Sequence, residues 1–187
     1  MHYELVNEPA GIVAAREALL DRVFGPGRLA KTSQRLRDGQ VPAPGLSFAA
    51  FSESLLLGTL RFWEIGIGPS RRPALLLGPL AVLPEIQGAG VGKALVRHGL
   101  AKARDLGHEA VLLVGDAPYY AHFGFDAALA QGLELPGPVE RARFQGLELV
   151  PGALAGVTGM LQPSQAPLAR KRLVRQARGG ERRGLAA

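Results

Sequence analysis

Residues 75–106 read LLLGPLAVLPEIQGAGVGKALVRHGLAKARDL, and this stretch decides the fold. It opens as an apolar run, passes through Pro84 into a glycine-rich turn, Gln87-Gly88-Ala89-Gly90-Val91-Gly92, and continues with helical spacing from about Gly90 to Leu106. The nearly continuous apolar run from Leu75 to Val82 predicts a strand buried on both faces, as central strands are. A strand that feeds a helix through glycines forms an anion site. Several backbone N–H groups converge at the helix N-terminus, whose partial charge is positive, and glycine lets a ligand come close.

Three glycine patterns compete for this turn. A P-loop needs a glycine where Gln87 stands and a hydroxyl where Ala94 stands. A dinucleotide fingerprint needs its third glycine one residue later than Gly92. The pattern [RQ]-x-x-G-x-[GA], after a strand and opening a helix, is filled by Gln87, Gly90 and Gly92 without a departure.

Outward from the turn, Gly78-Pro79 interrupts the strand. Proline donates no ladder hydrogen bond, so a bulge or splay is expected there. On the helix, Val91, Ala94, Leu95, Leu100 and Ala101 are expected toward the sheet, and Gly107 as the C-cap. Ala110 to Val114 reads as a second buried strand, giving a strand–helix–strand crossover. Then comes GDAPYYAHFGF, residues 115–125, with Asp116 as an N-cap and Pro118 in the first turn.

The two segments together resemble the GNAT superfamily of N-acetyltransferases. With Leu135-Pro136-Gly137-Pro138, they are most similar to the bacterial group typified by YhbS. The resemblance covers about residues 55–152. It implies an α/β fold: a central mixed, mostly antiparallel β-sheet flanked by helices, with a central strand pair splayed for CoA. It implies acetyl-CoA as co-substrate, with its pyrophosphate on the amides of Gly88, Ala89, Gly90, Val91 and Gly92 beside Gln87 and Lys93. The pantetheine arm would pair with the main chain of Leu80, Ala81 and Val82 as an added strand, and the N–H of Val82 would face the thioester oxygen. Tyr120, four residues before the glycine of Gly124-Phe125, stands where the family carries its tyrosine acid, with Tyr119 as its rival. Glu85 is the carboxylate expected nearest the reaction centre, ahead of Glu64 and Glu53, with water as the alternative base. The partner is an amine of a small molecule or peptide. A non-catalytic acyl-CoA-binding module is the other reading.

The rest of the chain adds a frame. His2 to Asn7 suggests a first strand, with Asn7 capping a helix that contains Ile12, Val13, Leu19, Leu20 and Val23. A polar helix is expected over residues 29–37. Leu46 to Phe51 and Leu55 to Ile65 read as a hairpin, and Phe144 to Val150 as a final strand. With 187 residues and 47% hydrophobic content, one medium domain is expected over residues 1–161.

The absence of cysteine excludes disulfides, thiolate metal sites and a cysteine nucleophile. No metal is expected, since the histidines lack ligand spacing. No segment is long and apolar enough to cross a bilayer, and no signal peptide precedes the domain, so a cytoplasmic enzyme is expected. The formal net charge of +6 resides in the tail, where Arg170, Lys171, Arg172, Arg175, Arg178, Arg182 and Arg183 face only Glu181. Residues 162–187 are expected to be a disordered basic tail, with a basic helix over 168–177 as its one candidate element. They offer nucleic acid no more than non-specific contact. A homodimer stays open.

Overall fold

The computed structural model describes residues 2–164. Its sheet is built from β1 (Glu4–Asn7), β2 (Ser47–Ser52), β3 (Leu55–Ile67), β4 (Arg72–Val82), β5 (Ala110–Val114), β6 (Leu133–Glu134), β7 (Phe144–Glu148) and β8 (Gly159–Pro163). The main path runs β1-β2-β3-β4-β5-β7, antiparallel except for the parallel β4–β5 pair. β8 continues the sheet along the far end of β3, beside Ile65–Ile67, and carries the short β6.

The strands alternate as a two-sided sheet requires. Leu75 and Leu77 of β4 and Val111 and Leu113 of β5 pack under one helix, α2 (Val91–Asp105). Leu76 of β4 and Ala110 and Leu112 of β5 pack on the opposite face, with Trp63, Phe144 and Leu36. α1 (Val13–Phe24) covers that second face further along, through Leu19 and Leu20 on Ala49, Leu56 and Ala81. Glu8 is buried between Arg16 of α1 and Arg61 of β3, which ties the start of the chain to the sheet.

Several expectations are corrected. Asn7 does not cap a helix, because it pairs with Phe48 as the last residue of β1; a 3₁₀ turn at Ala10–Ile12 leads into α1 instead. The helix expected over residues 29–37 is two 3₁₀ turns, Pro26–Ala30 and Thr32–Leu36, parted at Lys31 by extended backbone (φ −63°, ψ 141°). On α2, Val91, Leu95 and Leu100 are buried as expected, but so are Val96, Gly99 and Ala103, while Ala101 is exposed. Gly99 is where the helix meets the sheet most closely: a β-carbon there would lie 2.5 Å from Cε2 of Phe62. The folded chain also extends past residue 161, since Gln162 and Pro163 belong to β8 and Arg71 hydrogen-bonds the Gln162 side chain. The basic segment and the helix expected within it lie outside the described residues.

Candidate active site

The site begins at the break in β4. Leu60 pairs with Leu80 and Phe62 with Leu77, so Arg61 alone faces Gly78 and Pro79. This two-against-one bulge is the interruption the Gly-Pro pair implied. Trp63 fixes it from behind, its indole N–H donating to the Gly78 carbonyl at 2.6 Å. β4 and β5 pair only at Leu75–Val111 and Leu76–Leu112 and then diverge. Beyond that point no strand among the described residues pairs with the outer edge of Leu80–Val82.

The direction of the backbone there follows from one hydrogen bond. Leu83 N–H donates to Leu57 O at 2.8 Å, toward β3. Strand groups alternate in side, so Ala81 also faces β3, and the N–H and C=O groups of Leu80 and Val82 face the open edge. The Ala81 side chain is buried under α1, so of the three expected pantetheine contacts this residue offers the least.

Two cavities flank this edge. The larger, about 690 Å³, is lined by Leu80, Val82 and every residue from Ile86 to Lys93. It contains the whole glycine turn. Gly90 is the N-cap of α2 in the left-handed conformation (φ 89°, ψ −8°), and nothing stands within 4 Å of where its side chain would begin. The second cavity, about 280 Å³, lies on the other side of the bulge. It runs from Leu77, Gly78 and Pro79 to the 3₁₀ turns Pro26–Ala30 and Thr32–Leu36 and the end of β5. Leu80 and Tyr119 line both cavities, so the two meet there.

Both tyrosines come from α3 (Ala117–Ala121), a helix started as the sequence implied: Asp116 caps it, accepting the Tyr119 N–H at 3.2 Å. Their rings stand edge to face, 5.0 Å between centroids. Tyr119 reaches toward the glycine turn; a β-carbon on Gly92 would lie 2.9 Å from its hydroxyl. Tyr120 lies deeper, against Phe123 and Phe125 and across Gly115. Burial, aided by Tyr119 and Asp116, pushes the Tyr120 hydroxyl pKa well above its ordinary value. Burial raises that of Tyr119 as well.

Glu85 does not join them. It is exposed, pairs with Arg22 of α1, and lines neither cavity. Glu53, in the β2–β3 turn, and Glu64, on β3, also stand outside both cavities. Asp116, committed to its cap, is the sole carboxylate on the smaller cavity among the described residues. Sequence reasoning missed that cavity's other charged groups, Arg28, Lys31, Arg37 and Arg143. They come from segments with no motif, and Arg143 joins the others only through the pairing of β7 with β5.

Comparison with known proteins agrees with this fold. The profile of the Acetyltransferase (GNAT) family matches residues 14–125. The N-acetyltransferase YhbS of Escherichia coli strain K12 is 32% identical over 146 residues, covering 78% of this chain and 87% of its own length. The crystal structure of Escherichia coli YhbS in complex with CoA superposes with a TM-score of 0.74 at 29% identity, covering 86% of this chain and 89% of that one. A GNAT family acetyltransferase from Brucella melitensis in complex with acetyl-CoA has a TM-score of 0.62 at 29% identity, covering 80% of this chain and 90% of that one.

Proposed function

The chain belongs to the GNAT family of acetyltransferases, and we propose that it moves an acetyl group from acetyl-CoA directly to an amine of a small molecule or peptide. The observation that carries this reading is the junction at Leu80 and Tyr119, where an open strand edge, a glycine turn and a second cavity meet. The CoA and acetyl-CoA complexes of the two relatives support the choice of co-substrate.

In this reading the larger cavity takes CoA. Its pyrophosphate rests on the amides of Gly88 to Gly92, with Gln87 and Lys93 beside it; an anion at a helix N-terminus is favoured by both the free N–H groups and the helix dipole. The pantetheine amides pair with the Leu80 C=O and the outward groups of Val82, as an added strand would. That delivers the thioester to the bulge. The neutral amine arrives through the smaller cavity and attacks the carbonyl carbon. The N–C bond forms and the C–S bond breaks. The Leu80 N–H, which faces the open edge beside the bulge, stabilises the oxygen as it gains charge, while Val82 is occupied by the pantetheine.

Tyr120 attends the leaving sulfur. A free thiol has a pKa near ~8.5 and tyrosine near ~10, so full transfer from an ordinary tyrosine is already uphill. Burial, which raises the Tyr120 pKa further, makes it a hydrogen-bond donor to the thiolate rather than its final proton source. The proton that the amine loses reaches the sulfur through solvent. No carboxylate is needed for the amine either: Lys31, Arg37 and Arg143 are like charges that disfavour an ammonium in the smaller cavity. Water is then a sufficient base, and Glu85 is not required.

Calorimetric titration with acetyl-CoA tests the first half, using the native chain beside a Gly90→Glu, Gly92→Glu variant. Binding that disappears in the folded variant is expected. A folded native chain that does not bind would refute the proposal. Release of the CoA thiol with a panel of amines tests the second half; tight binding with no turnover would leave an acyl-CoA-binding module.

A further inference from the structure

The smaller cavity has an unusual charge balance. Arg28 is neutralised by Glu17 and Asp21, each at 2.6 Å. Lys31, Arg37 and Arg143 have no salt bridge among the described residues. Arg37 is the most telling. Its Nε is buried without a hydrogen-bond partner, and its side-chain hydrogen bond is to the Ser33 hydroxyl, at 3.3 Å. Its Nη1 lies 4.0 Å from where a β-carbon of Gly78 would stand, so the guanidinium sits against the β4 bulge itself.

Neighbouring groups do not explain it. Asp38 follows in the chain, but Gln34 holds its carboxylate at 2.8 Å. Burial lowers the Arg37 pKa to about 10, with Asp38 only partly opposing. Lys31 is lowered too, by burial and then by Arg143 and Arg37. Lys31 rests over the Phe24 ring at 4.5 Å, and Arg143 Nε reaches the Gly115 carbonyl at 3.4 Å. Three cations therefore face one small cavity without a salt bridge among the described residues, two of them from its exposed rim, and Lys31 is disfavoured by the other two. A half-buried guanidinium whose Nε has no partner is costly, and an arrangement of this kind is relieved when an anion binds.

We propose that the acceptor is an acidic amine, whose carboxylate or phosphate is held by Arg37, Lys31 and Arg143 while its amino group faces the thioester at Leu80 and Tyr119. The proposal rests on the acetyl-transfer reading and deepens it. The glycine turn lies in the other cavity, so the CoA pyrophosphate does not use these cations. The planar guanidinium of Arg37 suits bidentate contact with either anion. The bulge beside it sets the anion apart from the reaction point, so the acceptor must span from Gly78 to Leu80.

The test compares matched acceptors in a thiol-release assay: phosphoethanolamine against ethanolamine, and aspartate against asparagine amide. With the native protein, kcat/KM is expected to favour the acidic member of a pair by about tenfold or more, a difference of about 1.4 kcal/mol. In Arg37→Gln and Arg143→Gln that ratio falls toward unity, while the affinity for CoA stays as in the native protein. A native preference for the neutral member, or a ratio that survives Arg37→Gln, overturns the proposal. If none of these amines turns over, succinate and inorganic phosphate are titrated into the CoA-saturated protein. Saturable binding that Arg37→Gln weakens supports it, and no binding to the native complex overturns it. Failure of CoA itself to bind would instead overturn the acetyl-transfer reading, so the two failures are distinct.

Discussion

Gly90 and Gly107 stand at opposite ends of α2 and form a matched pair. Gly90 has φ 89° and Gly107 φ 82°, and at neither does an added β-carbon meet anything within 4 Å. Replacing either by alanine therefore introduces the same strain and no clash. A non-glycine residue in the left-handed region costs about 1–2 kcal/mol. At this chain length that lowers Tm by about 2–8 °C, using about 2–4 °C for each kcal/mol. Both variants are expected to fold, with similar thermal melts by circular dichroism. They part in binding. Only Gly90 lines the larger cavity, and its left-handed N-cap aims the following amides. Relaxing that strain turns an amide away from the pyrophosphate, and one hydrogen bond to a charged group is worth about 1.5–3 kcal/mol. Calorimetry should therefore show CoA affinity lower by about 10- to 150-fold in Gly90→Ala, at about 1.4 kcal/mol for each tenfold, and native affinity in Gly107→Ala. Equal affinities in the two variants, with equal melts, would remove the glycine turn from the site.

Further outcomes follow from individual contacts. Gly99→Ala should destabilise by about 1–3 kcal/mol despite the better helix propensity of alanine, because its methyl group collides with Phe62; thermal melts check this. Tyr120→Phe should leave CoA affinity intact and lower kcat by about 10- to 150-fold, the worth of one hydrogen bond to a charged atom. Because burial raises the Tyr120 pKa, the native pH–rate profile should show no loss of activity from Tyr120 ionisation up to about pH 10, the ordinary value for tyrosine. Arg37→Met should raise Tm by about 2–4 °C, since it replaces a half-buried charge without a salt bridge among the described residues by an apolar chain, and a fall in Tm would give Arg37 a purely structural role. At Glu17 burial raises the pKa, but hydrogen bonds and charge from Arg28 and Arg16 prevail and hold it below its ordinary value. Its stabilising contribution is then present above the ordinary carboxylate range and lost as pH falls through the folded-state value. Glu17→Gln should melt below the native chain at pH 7, and the gap should close below about pH 4.

The parts of the fold legible in the sequence are those where one local rule has no rival. A run of apolar residues too short for a core helix, broken by Gly78-Pro79, has few alternatives to a bulged central strand. Asp116 followed by Pro118 specifies a helix start with little help from the rest of the molecule. The misses are places where tertiary context overrides such rules. Asn7 is a good cap by type, but its backbone is taken by Phe48 across the sheet. Thr32 and Arg35 could have continued a helix, yet they reach instead to the carbonyls of Pro138 and Pro136, at 2.6 Å each, and the segment closes as 3₁₀ turns. On α2, glycine carries no apolar signal, so Gly99 was not read as core. Its missing side chain is what lets Phe62 in.

The same contrast divides the active site. The cofactor half uses backbone: amides at a helix start and the free edge of one strand. Backbone sites require particular conformations, conformations select glycine and proline, and those residues leave a readable spacing within one continuous segment. The acceptor half uses side-chain charge, and any element that reaches the cavity can supply it. Lys31 comes from the break between two 3₁₀ turns, Arg37 from the end of the second, and Arg143 from the 3₁₀ turn that leads into β7. In the sequence each is one basic residue among 22. What distinguishes them is that the fold brings them together and gives them no salt-bridge partner among the described residues, a property that exists only once the strands have paired. The acceptor's chemistry is thus written in what these cations lack, and the matched amines, rather than another motif, are the means of reading it.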